Sequence, residues 1–206
     1  MTLERRDQVY SLLLNIASRD WCQRQDALED LWKMAVDTGA RDIRAAVRVA
    51  ARALVNDPEA VVRSDAIDTL GDLGGPGDHR ILMSATYDPE WVVRSSAVSA
   101  AAEIIGARAV PRIRELLRDR NAVVRRSAAV ALFEVVGCSA EEDLSRLLKS
   151  ERNKIARVGF LYVAAMCGRA RAREELEVLA KDPNMRVQSP ARSSLDEVRG
   201  ATLKSS

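Results

Sequence analysis

The chain has 206 residues, enough for one or two domains with a continuous apolar core. Hydrophobic residues make up 47% and charged residues 30%, while an aromatic content of 4% speaks against a β-sandwich and leaves helix as the favoured class. With 32 basic and 30 acidic side chains the formal charge is +2, too small to point to a nucleic-acid protein, and one histidine, His79, excludes a His-built metal centre.

The N-terminal Met1-Thr-Leu-Glu-Arg-Arg-Asp enters charged, helix-compatible sequence with no apolar leader-like run, and no stretch of about 18 uninterrupted apolar residues occurs anywhere. Cys22, Cys138 and Cys167 stand far apart, show no C-x-x-C spacing, and are odd in number. Reduced thiols and a cytoplasmic, membrane-free protein are expected.

Going along the chain, Arg24-Gln-Asp-Ala27-Leu-Glu-Asp-Leu31 matches Arg63-Ser-Asp-Ala66-Ile-Asp-Thr-Leu70. Three segments then repeat in register: DPEAVVRSDAIDTLGDLGG from Asp57, DPEWVVRSSAVSAAAEIIG from Asp88 and DRNAVVRRSAAVALFEVVG from Asp119. Ser150–Gly168 continues the register with Glu151 and Arg157 one place late, and Asp182 opens a last unit with Gln188 at the arginine position. Periodicity of this length marks stacked modules.

Each unit reads as two helices. Asp57 or Asp88 is expected to cap, with Pro58 or Pro89 early in the helix, and Val62, Ala66, Leu70 and Leu73 recur at helical spacing before a glycine. Ala66, Ala97, Ala128 and Gly159 are small enough to let neighbouring helices approach closely. The expectation is an all-α, right-handed solenoid of about six pairs, with units near 3–39, 40–75, 76–106, 107–137, 138–168 and 169–199 making a single domain over 1–200, and a disordered tail at 201–206.

The D-P-x-x-x-V-R-x-x-A pattern at this period resembles HEAT repeats, specifically the short bacterial type named after phycobilisome lyases. In that family the series Asp57, Arg63, Asp88, Arg94, Asp119 and Arg125 resembles a structural ladder in which each arginine satisfies carbonyls and carboxylates between stacked units. Some relatives attach or detach bilins, which makes a lyase-like subunit or chaperone an alternative; helical-repeat glycosylases acting on alkylated bases are a further one. Metal-dependent relatives carry repeated His-Glu pairs, and this sequence has none.

The resemblance places the second helices on a concave face. Asp26, Glu29, Asp65, Asp68 and Asp72 then give an acidic wall and Trp91 an aromatic group at the edge, while Val158, Leu161 and Tyr162 form either an apolar floor or, where the slipped register or the C-terminal unit covers them, part of the core. Residues 1–103 carry 12 Lys/Arg against 17 Asp/Glu, net −5, whereas 104–206 carry 20 against 13, net +7. Such a face suits a protein or peptide with a basic or amphipathic surface better than nucleic acid, so a non-enzymatic scaffold, adaptor or inhibitor is the leading expectation. No catalytic residue, cofactor or metal is assigned. Trp32 is expected in the core, and Gly71–Gly77 with Asp78 and His79 as a surface turn.

Overall fold

The computed structural model describes residues 3–204. All regular elements among them are helical: α1 Leu3–Asn15, α2 Trp21–Thr38, α3 Arg41–Leu54, α4 Ala60–Leu73, α5 His79–Ala85, α6 Trp91–Ile105, α7 Val110–Leu116, α8 Ala122–Val136, α9 Ala140–Ser150, α10 Lys154–Met166, α11 Ala170–Leu179 and α12 Met185–Lys204. Two compact units divide them, Met1–Ile105 with α1 to α6 and Gly106–Ser206 with α7 to α12. In the first unit α2 packs on α4 and α4 on α6, while α1, α3 and α5 each pack on the helix that follows. The second unit repeats the plan, with α8 on α10, α10 on α12, and α7, α9 and α11 on their partners. Each unit is thus a two-layered stack of helix pairs, the arrangement of an all-α solenoid.

The apolar stripe explains the stacking. Ala66, Ile67 and Leu70 on α4, Ala97, Val98 and Ala101 on α6, and Ala128 and Leu132 on α8 are all buried. A lone pair would leave one side of these stripes wet, so each pair needs a neighbour. Small residues set the spacing. A Cβ placed on Gly159 of α10 would lie 2.7 Å from the carbonyl oxygen of Arg126 on α8, so these two helices meet backbone to side-chain position. Second helices α2, α6, α8 and α10 end at Gly39, Gly106, Gly137 and Gly168, whose φ of 62°, 63°, 60° and 82° lies in the left-handed region that favours glycine.

The turns differ from expectation in one respect. Asp57 and Asp88 are not the residues that flank the helices they precede. The residue before α4 is Glu59, and the Asp57 carboxylate accepts from the Glu59 N–H at 2.9 Å, with Pro58 in the turn itself. Asp88 does the same with Glu90 at 2.8 Å. A carboxylate that closes its own turn two residues on still has a second oxygen to offer.

Two further expectations are corrected. Residues 201–204, expected in a disordered tail, continue α12; Gly200 has no positive φ and so does not terminate the helix, while 205–206 lie outside the described residues. Cys138 and Cys167 form a disulfide with Cα atoms 5.5 Å apart, leaving Cys22 as an exposed thiol, so reduced thiols do not describe all three. The sequence spacing of 29 concealed a proximity created by folding α9 and α10 back on each other. Replacing both Cys138 and Cys167 with serine is expected to lower stability by about 2–4 kcal/mol. Denaturation with and without reductant checks this: the wild type should shift and the double variant should not.

Candidate functional site

The turns are tied by a run of guanidinium contacts. Arg24 grips Asp57 with Nε and Nη2 at 2.6 and 2.7 Å, and its Nη1 donates to the carbonyl oxygens of Ser18 and Arg19. Arg63 grips Asp88 at 2.9 Å through both nitrogens and takes the carbonyls of Asp57 and Pro58. Arg125 grips Glu151 at 2.7 and 3.0 Å and takes the carbonyls of Asp119 and Arg120. Arg94 donates to the carbonyls of Asp88 and Pro89. Asp119 closes its turn on the Asn121 N–H.

The register slip in the fifth unit keeps this geometry. Arg157 reaches the carbonyl of Glu151 six residues back and pairs with Glu175 at 2.6 Å. In the sixth, Gln188 donates to the Asp182 carbonyl, and Lys154 supplies the cation for Asp182 at 2.6 Å. An uncharged amide keeps the carbonyl half of the contact without needing a carboxylate of its own. Planar, bidentate guanidinium pairing suits arginine and not lysine.

Asp78, expected in a surface turn, has a fully buried side chain. Arg52 holds it at 2.6 Å, Arg48 at 3.4 Å, and the Gly75 N–H at 3.0 Å. Burial alone would push its carboxyl up, but those donors hold it below the ordinary aspartate value. The available signal was the arginine pair one helical turn apart in α3.

Of the proposed groove residues, four come together. Glu29 on α2 and Asp65, Asp68 and Asp72 on α4 line a groove of about 360 Å³, with Gln25, Leu28, Trp32 and Thr69 completing it. Each α4 carboxylate is held by a neutral donor: Asp65 by Gln25 Nε2 at 2.7 Å, Asp68 by Ser96 Oγ at 2.9 Å, and Asp72 by Trp32 Nε1 at 2.9 Å. The Ser96 proton goes to Asp68, so Ser64 is the donor in the 2.9 Å contact between the two serines. Among the described residues none of these three aspartates makes an ion pair, whereas Glu29 pairs with Lys33 at 2.7 Å. Desolvation in the groove raises Asp68 to about 6, opposed by the Ser96 hydroxyl and assisted by Asp65 and Asp72. Burial and Glu29 also raise Asp65. No cluster of His, Cys, Asp and Glu among the described residues is arranged to hold a metal ion.

Other proposed residues fall elsewhere. Asp26 is exposed on α2 but does not line the groove, and Trp91 is 42% exposed at the start of α6, also outside it. Trp32 is half-buried at the groove wall, not in the core.

Val158, Leu161 and Tyr162 are not a groove floor. They are 1%, 1% and 7% exposed, respectively. The last helix pair covers this region: α12 packs on α10, the Tyr162 hydroxyl donates to Glu197 of α12 at 2.8 Å, and its ring meets Phe133 edge-on at 5.9 Å. The other units carry polar or small residues at the equivalent positions, so the repeat register does not mark these three as covered by α12.

A stacked helix-pair architecture with an interlocking turn defines a helical-repeat protein. The HEAT-repeat family model matches residues 11–102, 47–132 and 80–158, and the chain belongs to the HEAT-repeat family. HEAT repeats generally serve as protein-interaction scaffolds. The chain is similar to the crystal structure of an engineered protein from the Northeast Structural Genomics Consortium, at 20% identity over 94% of this chain and 97% of that one, with a TM-score of 0.52; that likeness shows the fold. No curated protein matches the chain significantly. No described helix is long and apolar enough to cross a membrane.

Proposed function

We propose that this protein is a protein-binding module whose first unit receives a basic amphipathic helix along the groove between α2 and α4. The observation that carries this reading is the row Asp65, Asp68 and Asp72, spaced three and four residues apart on α4 and held only by neutral donors. Asp65 and Asp72 raise the proton affinity of Asp68 between them, and a cationic partner relieves that repulsion. The family's scaffold role supports the same reading.

A synthetic helix of about three turns, with lysines spaced three and four residues apart beside leucines and no histidine, is the direct probe. Tight binding is expected at low salt, with Trp32 fluorescence as one readout, and a glutamate-for-lysine counterpart should not bind. Changing Asp65, Asp68 and Asp72 together to asparagine is expected to weaken binding about tenfold or more, a loss of about 1.4 kcal/mol. Equal binding by wild type and this variant sinks the reading.

The pH dependence has a definite sign. Binding favours ionised Asp68, so affinity should fall as pH drops through about 6, where Asp68 takes up a proton. Facing it are Asp65 and Asp72 on its own helix, Glu29 with its partner Lys33 on α2, and the Ser96 hydroxyl on α6. Asp68→Asn should flatten this profile.

A further inference from the structure

The outer layer of the first unit carries a charge pattern that the groove does not use and that only Arg48 commits to a turn, through Asp78. On α3, Arg41, Arg44 and Arg48 follow one another at three and four residues, the same spacing as Asp65, Asp68 and Asp72 on α4. Both rows span about 10 Å at 1.5 Å per residue. Arg41 and Arg44 are exposed and make no ion pair among the described residues. Arg48 reaches Asp78 only at 3.4 Å, and its buried Nε has no hydrogen-bond partner. Beside the arginines stand exposed Ala45 and Val49, the latter 62% exposed. The outward face of α3 is therefore a basic helix surface, with Ala45 and Val49 beside its arginines and exposed Asp42 near its start.

We infer that the α3 face of one copy docks into the α2/α4 groove of a second copy, pairing Arg41, Arg44 and Arg48 with Asp65, Asp68 and Asp72. This rests on the reading of the groove given above and names its partner. The two surfaces lie on different layers of the same unit, so no copy satisfies itself. Contacts between unlike faces are heterologous, and they propagate from copy to copy unless rotation closes a ring. Val49 then meets the Trp32 ring at the groove wall, while the charges set register and salt dependence.

Sedimentation velocity on the full chain tests this at low and high salt. The wild type is expected to form larger species with rising concentration at low salt and to dissociate at high salt. Arg41→Glu/Arg44→Glu, which spares the Arg48 and Arg52 contacts to Asp78, should be monomeric and should still bind the basic synthetic helix. Asp65→Lys/Asp68→Lys should also be monomeric. In an equimolar mixture the intact groove of one variant meets the intact α3 face of the other, and the reversed face meets the reversed groove with its charges exchanged, so association should return. Circular dichroism checks folding, and if the lysine variant fails to fold, the glutamate variant alone decides. A wild type that stays monomeric at low salt, or a glutamate variant that assembles like the wild type, overturns the inference. If the synthetic helix binds and self-association is absent, only this inference falls; if the helix does not bind, the groove reading falls with it.

Discussion

Arg24→Ala is expected to destabilise the chain by about 3 kcal/mol, the low end for breaking a buried ion pair. The side chains of Arg24 and Asp57 are 10% and 4% exposed, so the carboxylate left behind has little access to water. Two carbonyls, of Ser18 and Arg19, lose their donor in the same step. Arg24→Lys should recover part of the loss, since an ammonium restores charge but not the paired donors. Urea denaturation followed by helical circular dichroism measures all three proteins.

The pH dependence of that experiment identifies the mechanism. Burial pushes Asp57 up, yet Arg24, the Glu59 N–H and Arg63 together hold it below its ordinary 3.8. The wild-type contribution is therefore present above that value and is lost as pH falls through the lowered one. Without Arg24 the burial effect is less opposed, the carboxyl titrates higher, and protonation relieves the variant first. The gap between wild type and Arg24→Ala should narrow in acid. A gap independent of pH would mean that packing of the arginine stem, not the ion pair, stabilises the turn.

Gly159→Ala is expected to cost about 1–3 kcal/mol, and Gly159→Val more. The new Cβ would sit 2.7 Å from the Arg126 carbonyl oxygen, 2.8 Å from its Cγ and 3.0 Å from its Cα, and two of these atoms belong to the backbone of α8. Helix propensity works in the opposite direction, favouring alanine by up to about 1 kcal/mol, so the steric effect must exceed that to show. Two other glycines calibrate the result. At Gly71 the nearest atom is the Ala100 side chain at 3.0 Å, and at Gly200 nothing lies within 4 Å. Thermal denaturation should rank Gly200→Ala as stabilising, Gly71→Ala as intermediate and Gly159→Ala as the most damaging. Any other order contradicts the helix spacing described here.

Helix pairing was legible because the aspartate-to-arginine interval and the apolar stripe recur together, and a stripe of that kind can be buried only by stacking. The acidic groove was legible in part for the same reason: Asp65, Asp68 and Asp72 lie one turn apart on one helix, and their sharing one side of it follows from its period. Asp26 was misplaced because a position one step off the stripe can face either edge of the helix. Sequence leaves Val158, Leu161 and Tyr162 between an exposed floor and a covered core, because burial by α12 is a tertiary fact with no local sign. The same holds for Asp78, whose partners lie 26 and 30 residues away, and for the thiols of Cys138 and Cys167.

The turn contacts have one constant. From Ser18 to Arg24, Asp57 to Arg63, Asp88 to Arg94, Asp119 to Arg125, Glu151 to Arg157 and Asp182 to Gln188, the side chain reaches the carbonyl six residues before it. The distance onward to the next acid is not constant: 33 residues from Arg24, 25 from Arg63 and 26 from Arg125. Length is therefore negotiable in one half of the module and rigid in the other. A duplicate of residues 57–87 spliced in after Tyr87 would bring an acid for the existing Arg63 and an arginine for the existing Asp88, so both turn seams mate, provided that the copied Asp78, which leaves Arg48 and Arg52 behind on α3, is changed to asparagine. The chain is in this sense a kit of interchangeable cassettes, extendable by whole parts and intolerant of a single added residue inside the coupling.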